Sequence, residues 1–325
     1  MIGFILRRLL AGVLTIVAAS ILVFLLVSYS GDPLAILRAN PHIPPAVIAA
    51  RERLLHLNDP IWERYWIWAS HAIRGNLGNS ISGNAVGPQL WNKLGLTLRL
   101  VLGATALSVL FGIGLGVLSA RRQYSAVDYT ATFTSFVFFS TPVFVLGILL
   151  KQFLAVHVNL ALGHTILYTL GQQNAILETS FVSRLGDYFE HTVLPVVTLT
   201  LVTYPAWSRY QRAEMLEVQN ADYVRLARAK GISARRVLLR HVLRNALIPV
   251  VTVIGLDTAA IFGGAVITEQ VFGWNAMGQF FLTGVSQRDV NVVLAYLMVT
   301  AVVVVGMNIL VDIIYGYLDP RVRFA

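Results

Sequence analysis

The chain has 325 residues, of which 56% are hydrophobic and only 13% charged, with no cysteine and a formal charge of +9. Soluble domains carry about 25% charged residues, so this balance points to a polytopic membrane protein and excludes disulfide, iron–sulfur and thiol chemistry. The positive charge needs no nucleic-acid partner, because Lys and Arg gather on the cytoplasmic loops of membrane proteins.

Six segments are long and apolar enough to cross about 30 Å of hydrocarbon as helices. The first, Leu9–Val27, is too long an apolar run for a cleaved signal peptide and is read as a retained span. A long exterior segment, Tyr29–Leu96, follows. Within it Pro44–Trp68 reads as two helical pieces split at Asn58-Asp59-Pro60, the second crowded with Trp62, Tyr65, Trp66 and Trp68. Such a piece suits the outer lipid interface, and equally a small exterior subdomain that seats a partner. Span two is Thr97–Leu118. Span three is Thr132–Val156, interrupted by Pro142. The loop His157–His191 contains GQQNAILETSFVSRLGDYF, a short helix or a re-entrant piece. Span four, Thr192–Trp207, carries Pro195 and Pro205; span five is Ile248–Ile267 and span six Val292–Ile314.

Arg7 and Arg8, Arg121 and Arg122, nine Lys or Arg from Arg209 to Arg244, and Arg321 and Arg323 share one side if six spans alternate. The positive-inside rule makes that side, and both termini, cytoplasmic. The chain then divides into a tail and first span (1–28), an exterior segment (29–96) and a core (97–325) containing a cytoplasmic segment at 210–247.

Catalytic signals are missing. The sequence has no G-x-x-x-x-G-K-[ST] phosphate loop. Its seven histidines are not grouped with Asp or Glu at metal-ligand spacing, and no Ser sits beside a His/Asp pair. No metal or cofactor is expected on the chain, and a membrane-bound enzyme has no support. Ionisable residues inside spans are functional suspects. Asp257, about nine residues into span five, either lines a solute path or is satisfied by a neighbouring span. Arg99 and Lys151 lie near span ends, where long side chains can snorkel outward.

The most basic stretch is ADYVRLARAKGISARRVLLRHVLRNALIP, Ala221–Pro249. Asp222–Lys230 has helical character, with Val224 and Ala227 on a face that Tyr223 and Leu226 extend. Gly231 breaks it, and Ser233 is a suitable N-cap for a second helix from Ala234. Val237, Leu238, Val242 and Leu243 form an apolar stripe, and Arg235, Arg236, Arg240 and Arg244 fill the remainder. Pro249 stands where the chain re-enters the membrane. A topological anchor, a basic helix on the lipid surface and a handle gripped by another protein all fit this pattern.

The stretch resembles the cytoplasmic loop of ABC-importer permeases, whose pattern is Glu-Ala-Ala, three residues, Gly, then a run ending in Leu-x-Pro. Gly231, Ala227 and Pro249 match; Arg225 and Leu226 replace the Glu and first Ala, and the Gly-to-Pro spacing is longer. Both departures are similar to the dipeptide/oligopeptide/nickel branch, where RxARAKG and RNALxP are usual. SGDP (Ser30–Pro33), GNLGNS (Gly75–Ser80), TPVFVLGILL (Thr141–Leu150), HTVLP (His191–Pro195), EQVFGWNAMGQFFLTGVSQRDV (Glu269–Val290) and YGYLDPRVR (Tyr315–Arg323) fit the same branch in order. The long exterior segment points to the first of its two paired permeases.

The resemblance implies an all-α type I importer permease embedded in lipid. It pairs with a second permease, two cytoplasmic ATPase subunits that hold ATP and Mg, and an exterior solute-binding protein delivering peptide. Arg225, Ala227, Lys230, Gly231, Ser233, Arg235, Arg236, Val237, Leu238, Arg240, Arg244 and Pro249 then belong to the ATPase-coupling segment. Val237 and Leu238 would supply its apolar docking face and the arginines its charged rim. Nickel chelates or haem are alternative solutes. An ion-gradient-driven transporter is a weaker rival, because it calls for inverted repeats and more mid-membrane charge.

Overall fold

The computed structural model of the chain describes residues 2–173 and 180–318, and its regular elements there are helical, with one isolated bridge between Asn79 and Ala85. In chain order they are α1 (Ile2–Tyr29), α2 (Ala35–Arg38), α3 (Pro45–Leu54), α4 (Ile61–Ile73), α5 (Val86–Arg121), α6 (Ala126–Ser140) and α7 (Val143–Leu149). A π-helical turn, Leu150–Ala155, joins α7 to α8 (Val156–Leu162). Then come α9 (Phe181–Gln219), α10 (Asp222–Ala229) and α11 (Ala234–Arg236). A second π-helical stretch, Val237–Leu243, leads into α12 (Arg244–Val271), followed by α13 (Met277–Ser286) and α14 (Val290–Leu318).

Two compact units result, one mainly Leu98–Trp274 and the other Leu6–Thr97 with Asn275–Val305. The sequence division placed 275–305 with the core, but side-chain bonds tie it to the exterior segment. Asp289 accepts from the Ile81 amide at 2.6 Å, Asn291 Nδ2 donates to the Asn79 carbonyl at 2.8 Å, and Thr97 Oγ1 accepts from the Met277 amide at 3.1 Å. The two expected exterior helices are α3 and α4. The crowded aromatics of α4 are divided: Trp62 and Trp66 face outward, while Trp68 packs with Phe24, Leu294 and Tyr65.

In the larger unit α9 is the central element, packed against α6 and α12. Small residues on α5 let it approach closely. A Cβ at Gly116 would lie 2.7 Å from the Ser208 carbonyl oxygen, and one at Gly112 would lie 2.9 Å from Trp207 Cβ.

Among the described residues, five helical stretches are long and apolar enough to span a membrane: Leu6–Tyr29, Val86–Arg121, Val143–Leu162, Ala234–Phe262 and Val290–Ile314. The chain is an all-α polytopic membrane protein. The sixth expected span, Thr192–Trp207, lies inside α9, whose 39 residues reach about 58 Å at 1.5 Å per residue. This helix buries Thr198, Thr200, Ser208 and Gln211 among its neighbours, so its composition is not that of a lipid-facing helix. The expected third span is broken rather than merely interrupted. Thr141 and Pro142 are extended, with ψ of 123° and 139°, and the apolar run restarts at Val143. GQQNAILETSFVSRLGDYF falls partly outside the described residues; its portion from Phe181 onward is the first part of α9.

Candidate functional site

The basic stretch folds as a short amphipathic helix followed by a turn and a long helix. Val224 and Ala227, three residues apart on α10, point inward onto Met215 of α9 and onto Val237 and Val242. The turn closes α10 with a Schellman motif: the Gly231 amide donates to the Arg228 carbonyl at 2.9 Å and the Ile232 amide to the Ala227 carbonyl at 3.3 Å. Gly231 has φ of +76° and open space around its Cα. Gly231→Ala is therefore expected to cost only about 1 kcal/mol, from the left-handed backbone alone. Gly231→Pro forces φ near −65° and removes the amide bonded to Arg228. Tryptic cleavage after Arg225 and Arg228 checks this: near-native protection for Ala, rapid cutting for Pro.

Ser233 occupies the N-cap position, with its carbonyl accepting from the Val237 amide at 3.0 Å, but its hydroxyl makes no capping bond. From Ala234 the helix runs on without interruption, so the second half of the stretch is the first part of the next membrane-spanning helix rather than a separate element. Pro249 lies inside α12 and not at its entrance. The π-helical stretch has a packing consequence. One extra residue per turn puts Val242 rather than His241 in line with Val237, and both are buried with Ala246.

That burial bears on the expected docking face. Val237 is 2% exposed and faces the interior of its own chain, so it has no surface to offer a partner. Leu238 is half-buried beside it. The exposed large apolar residues of the stretch are Tyr223, Leu226 and Leu239, 46%, 57% and 48% exposed; Tyr223 and Leu226 flank the inward face that Val224 and Ala227 form on α10. Around them Arg225, Lys230, Arg235, Arg236, Arg240 and Arg244 are all exposed. The ion pair of Arg225 with Asp222, 3.8 Å apart on the surface, contributes little.

A part-buried ion pair that sequence reasoning missed joins α6 to α9. Arg212 of α9 donates from Nε and Nη2 to the two carboxylate oxygens of Asp128, both at 2.7 Å, and Asp128 is 3% exposed. Asp128 sits in the first turn of α6. Its amide bonds the Ser125 hydroxyl at 3.4 Å and its carboxylate accepts from the Tyr124 amide at 3.0 Å, where Tyr124 has φ of +62°. The hydrogen bonds from Arg212 hold the Asp128 carboxyl below its ordinary pKa, against the opposing effect of burial. The Ser-x-x-Asp spacing signals a helix start, but nothing in the sequence links it to an arginine 84 positions away.

Asp257 is half-buried on α12 and accepts a 2.8 Å hydrogen bond from the indole Nε1 of Trp207, which is fully buried on α9. Lys151 donates to the Val271 carbonyl at the end of α12 at 2.8 Å, and Arg99 stacks 4.3 Å over the Tyr188 ring. His191 is buried in α9, stacked on Tyr168 at 4.0 Å. Among the described residues no cluster of His, Asp and Glu could hold a metal ion.

Residues 112–324 match the binding-protein-dependent transport system inner membrane component, and residues 1–90 match the N-terminal part of the membrane component of such systems. The chain is 39% identical to the oligopeptide transport system permease protein OppB of Mycobacterium bovis, over 98% of both chains. It is 37% identical to the oligopeptide transport system permease protein AppB of Bacillus subtilis, over the full length of both. A chain of the inward-facing MetNI methionine ABC transporter superposes with a TM-score of 0.54 at 16% identity, over 71% of this chain and 96% of that one, a likeness of fold. Family matches at both ends and full-length permease relatives lead to one assignment: the chain belongs to the binding-protein-dependent transport system inner membrane component family.

Proposed function

We propose that the chain is the first of two paired permeases in an ATP-driven peptide importer. It forms half of the translocation path and makes no covalent change to its solute. The observation that carries this is the likeness, end to end, to permeases named for oligopeptide transport. Its partners are a second permease, two cytoplasmic ATPase subunits holding ATP and Mg, and an exterior solute-binding protein that delivers peptide.

In this account α10 is the piece that an ATPase subunit grips. Tyr223 and Leu226 enter an apolar groove, and the surrounding cations meet an acidic rim. The underside of α10 is packed onto α9 and onto the helix that begins at Ala234. Movement of α10 therefore reaches α9 by direct packing and α12 through continuous helix. Close-packed interiors transmit displacement with little compliance.

Asp257 faces the solute path in the same account. Asp257→Asn keeps an oxygen to accept from Trp207 Nε1 and removes only the charge. It is expected to change peptide uptake rate or solute preference several-fold with no loss of assembly. Unchanged uptake across cationic and neutral peptides would remove Asp257 from the path.

The whole proposal is tested in vesicles containing the purified chain and its four partner chains. Labelled peptide is expected to accumulate with ATP and Mg and not with a proton gradient alone. Gradient-driven uptake without ATP would overturn it.

A further inference from the structure

The smaller unit contains a cavity that the coupling account leaves unused. It has a volume of about 270 Å³ and is walled by α4, by the turns before and after that helix and by the start of α14. Arg64, Trp68 and His71 line it, at positions i, i+4 and i+7 on a single face of α4. Among the described residues, one of these donors is buried without an acceptor, and a second has no anionic partner. Trp68 is 9% exposed, and its indole Nε1 has no hydrogen-bond partner. Arg64 is half-buried and makes no ion pair among the described residues; burial lowers its pKa, opposed only by the charge of Asp59.

The neighbouring acids are already engaged. Asp59 pairs with His56, Oδ2 to Nδ1 at 2.8 Å. Asp289, in the cavity wall, accepts from the Ile81 amide on Oδ2 at 2.6 Å and from the Val292 amide on Oδ1 at 3.2 Å, capping α14. The cavity therefore presents an unpartnered indole N–H and an unpaired guanidinium beside a carboxylate, Asp289, whose two oxygens already accept backbone amides. Its other walls include Phe24, Leu54 and Leu294. A guanidinium fork matches the two oxygens of a carboxylate, and apolar walls favour a carboxylate carried on hydrocarbon over a bare inorganic anion.

We infer that this cavity is a binding site for a carboxylate attached to a small apolar group, held by Arg64 and the Trp68 indole N–H. On the positive-inside topology it opens on the exterior, where either the C-terminal carboxylate of a peptide solute or an acidic group of the solute-binding protein can reach it.

N-acetyl-leucine and N-acetyl-leucinamide, which differ in the charged end, are the probes. Their binding is measured by saturation-transfer NMR on the assembled complex in lipid nanodiscs. The acid is expected to bind saturably and the amide at least tenfold more weakly. Arg64→Gln should lower acid binding at least tenfold with an unchanged melting curve. Trp68→Phe, which keeps an aromatic ring against Phe24 and Tyr65, should lower it several-fold. No saturable binding of the acid, equal binding of acid and amide, or unchanged binding to the Arg64→Gln complex would overturn the assignment.

A second arm, which rests on the importer account, identifies the natural source. Displacement of the solute-binding protein by N-acetyl-leucine assigns the carboxylate to that protein. Undisturbed association assigns it to the solute.

Discussion

Arg212→Ala is expected to strip the permease of much of its stability, lowering both its yield and its melting temperature in detergent. The substitution leaves the Asp128 carboxylate, 3% exposed, with no cation. Removing one partner of a fully buried pair costs about 3–5 kcal/mol, far more than the intact pair contributes over a neutral substitute, and the cost here falls toward or below the low end because Arg212 is 28% exposed. The paired variant Asp128→Asn with Arg212→Gln should therefore be milder than Arg212→Ala alone. Asn retains an acceptor for the Tyr124 amide and keeps the turn before α6. Because the pair lowers the Asp128 pKa, its stabilisation is complete above about pH 4 and is lost only as pH falls through the lowered value. Melting curves of the parent chain and the two variants at neutral pH check the order. A double variant as unstable as Arg212→Ala would show that the charge is not what matters.

Leu226→Glu is expected to have the opposite profile, with normal folding and failed transport. Leu226 is 57% exposed, so replacing it removes little packing within the chain. At a docking surface the same change places a carboxylate in an apolar groove, and central contacts of this kind cost 2 kcal/mol or more, about thirtyfold in affinity. Co-purification of the ATPase subunits should fall by about that factor, and ATP-driven uptake with it. Leu239→Glu is the control, because Leu239 is 48% exposed but lies beyond Gly231 on the following helix. Equal loss from both variants would mean that a negative charge anywhere on this surface is harmful and that α10 holds no special place.

The broad architecture was legible because lipid imposes strong local rules. Long apolar runs, basic flanks and the glycine break at 231 are properties of short windows, and the helical elements followed them. The errors came where tertiary context overrides a window. α9 is enclosed by other helices, so its Thr, Ser and Gln residues lower its apolarity without preventing it from crossing the larger unit. The stripe Val237–Leu243 was read with a period of 3.6, while the actual π-helical stretch turns Val237 and Val242 inward together. Which side of an amphipathic helix faces its own chain is likewise invisible in one segment. Val224 and Ala227 are smaller than Tyr223 and Leu226, and they are the pair that fits against Met215. The Asp128–Arg212 pair joins α6 to α9 across 84 positions, a separation at which single-sequence patterns carry no signal.

The outward direction of α10 has a direct measurement. Because the chain contains no cysteine, Leu226→Cys provides it with one thiol. The assembled complex is treated with a short thiol-to-amine crosslinker, and products are identified by mass spectrometry. Leu226→Cys is expected to crosslink to an ATPase subunit, while Val237→Cys, buried in its own chain, stays unreactive. Crosslinking from position 237 with none from 226 would contradict the account.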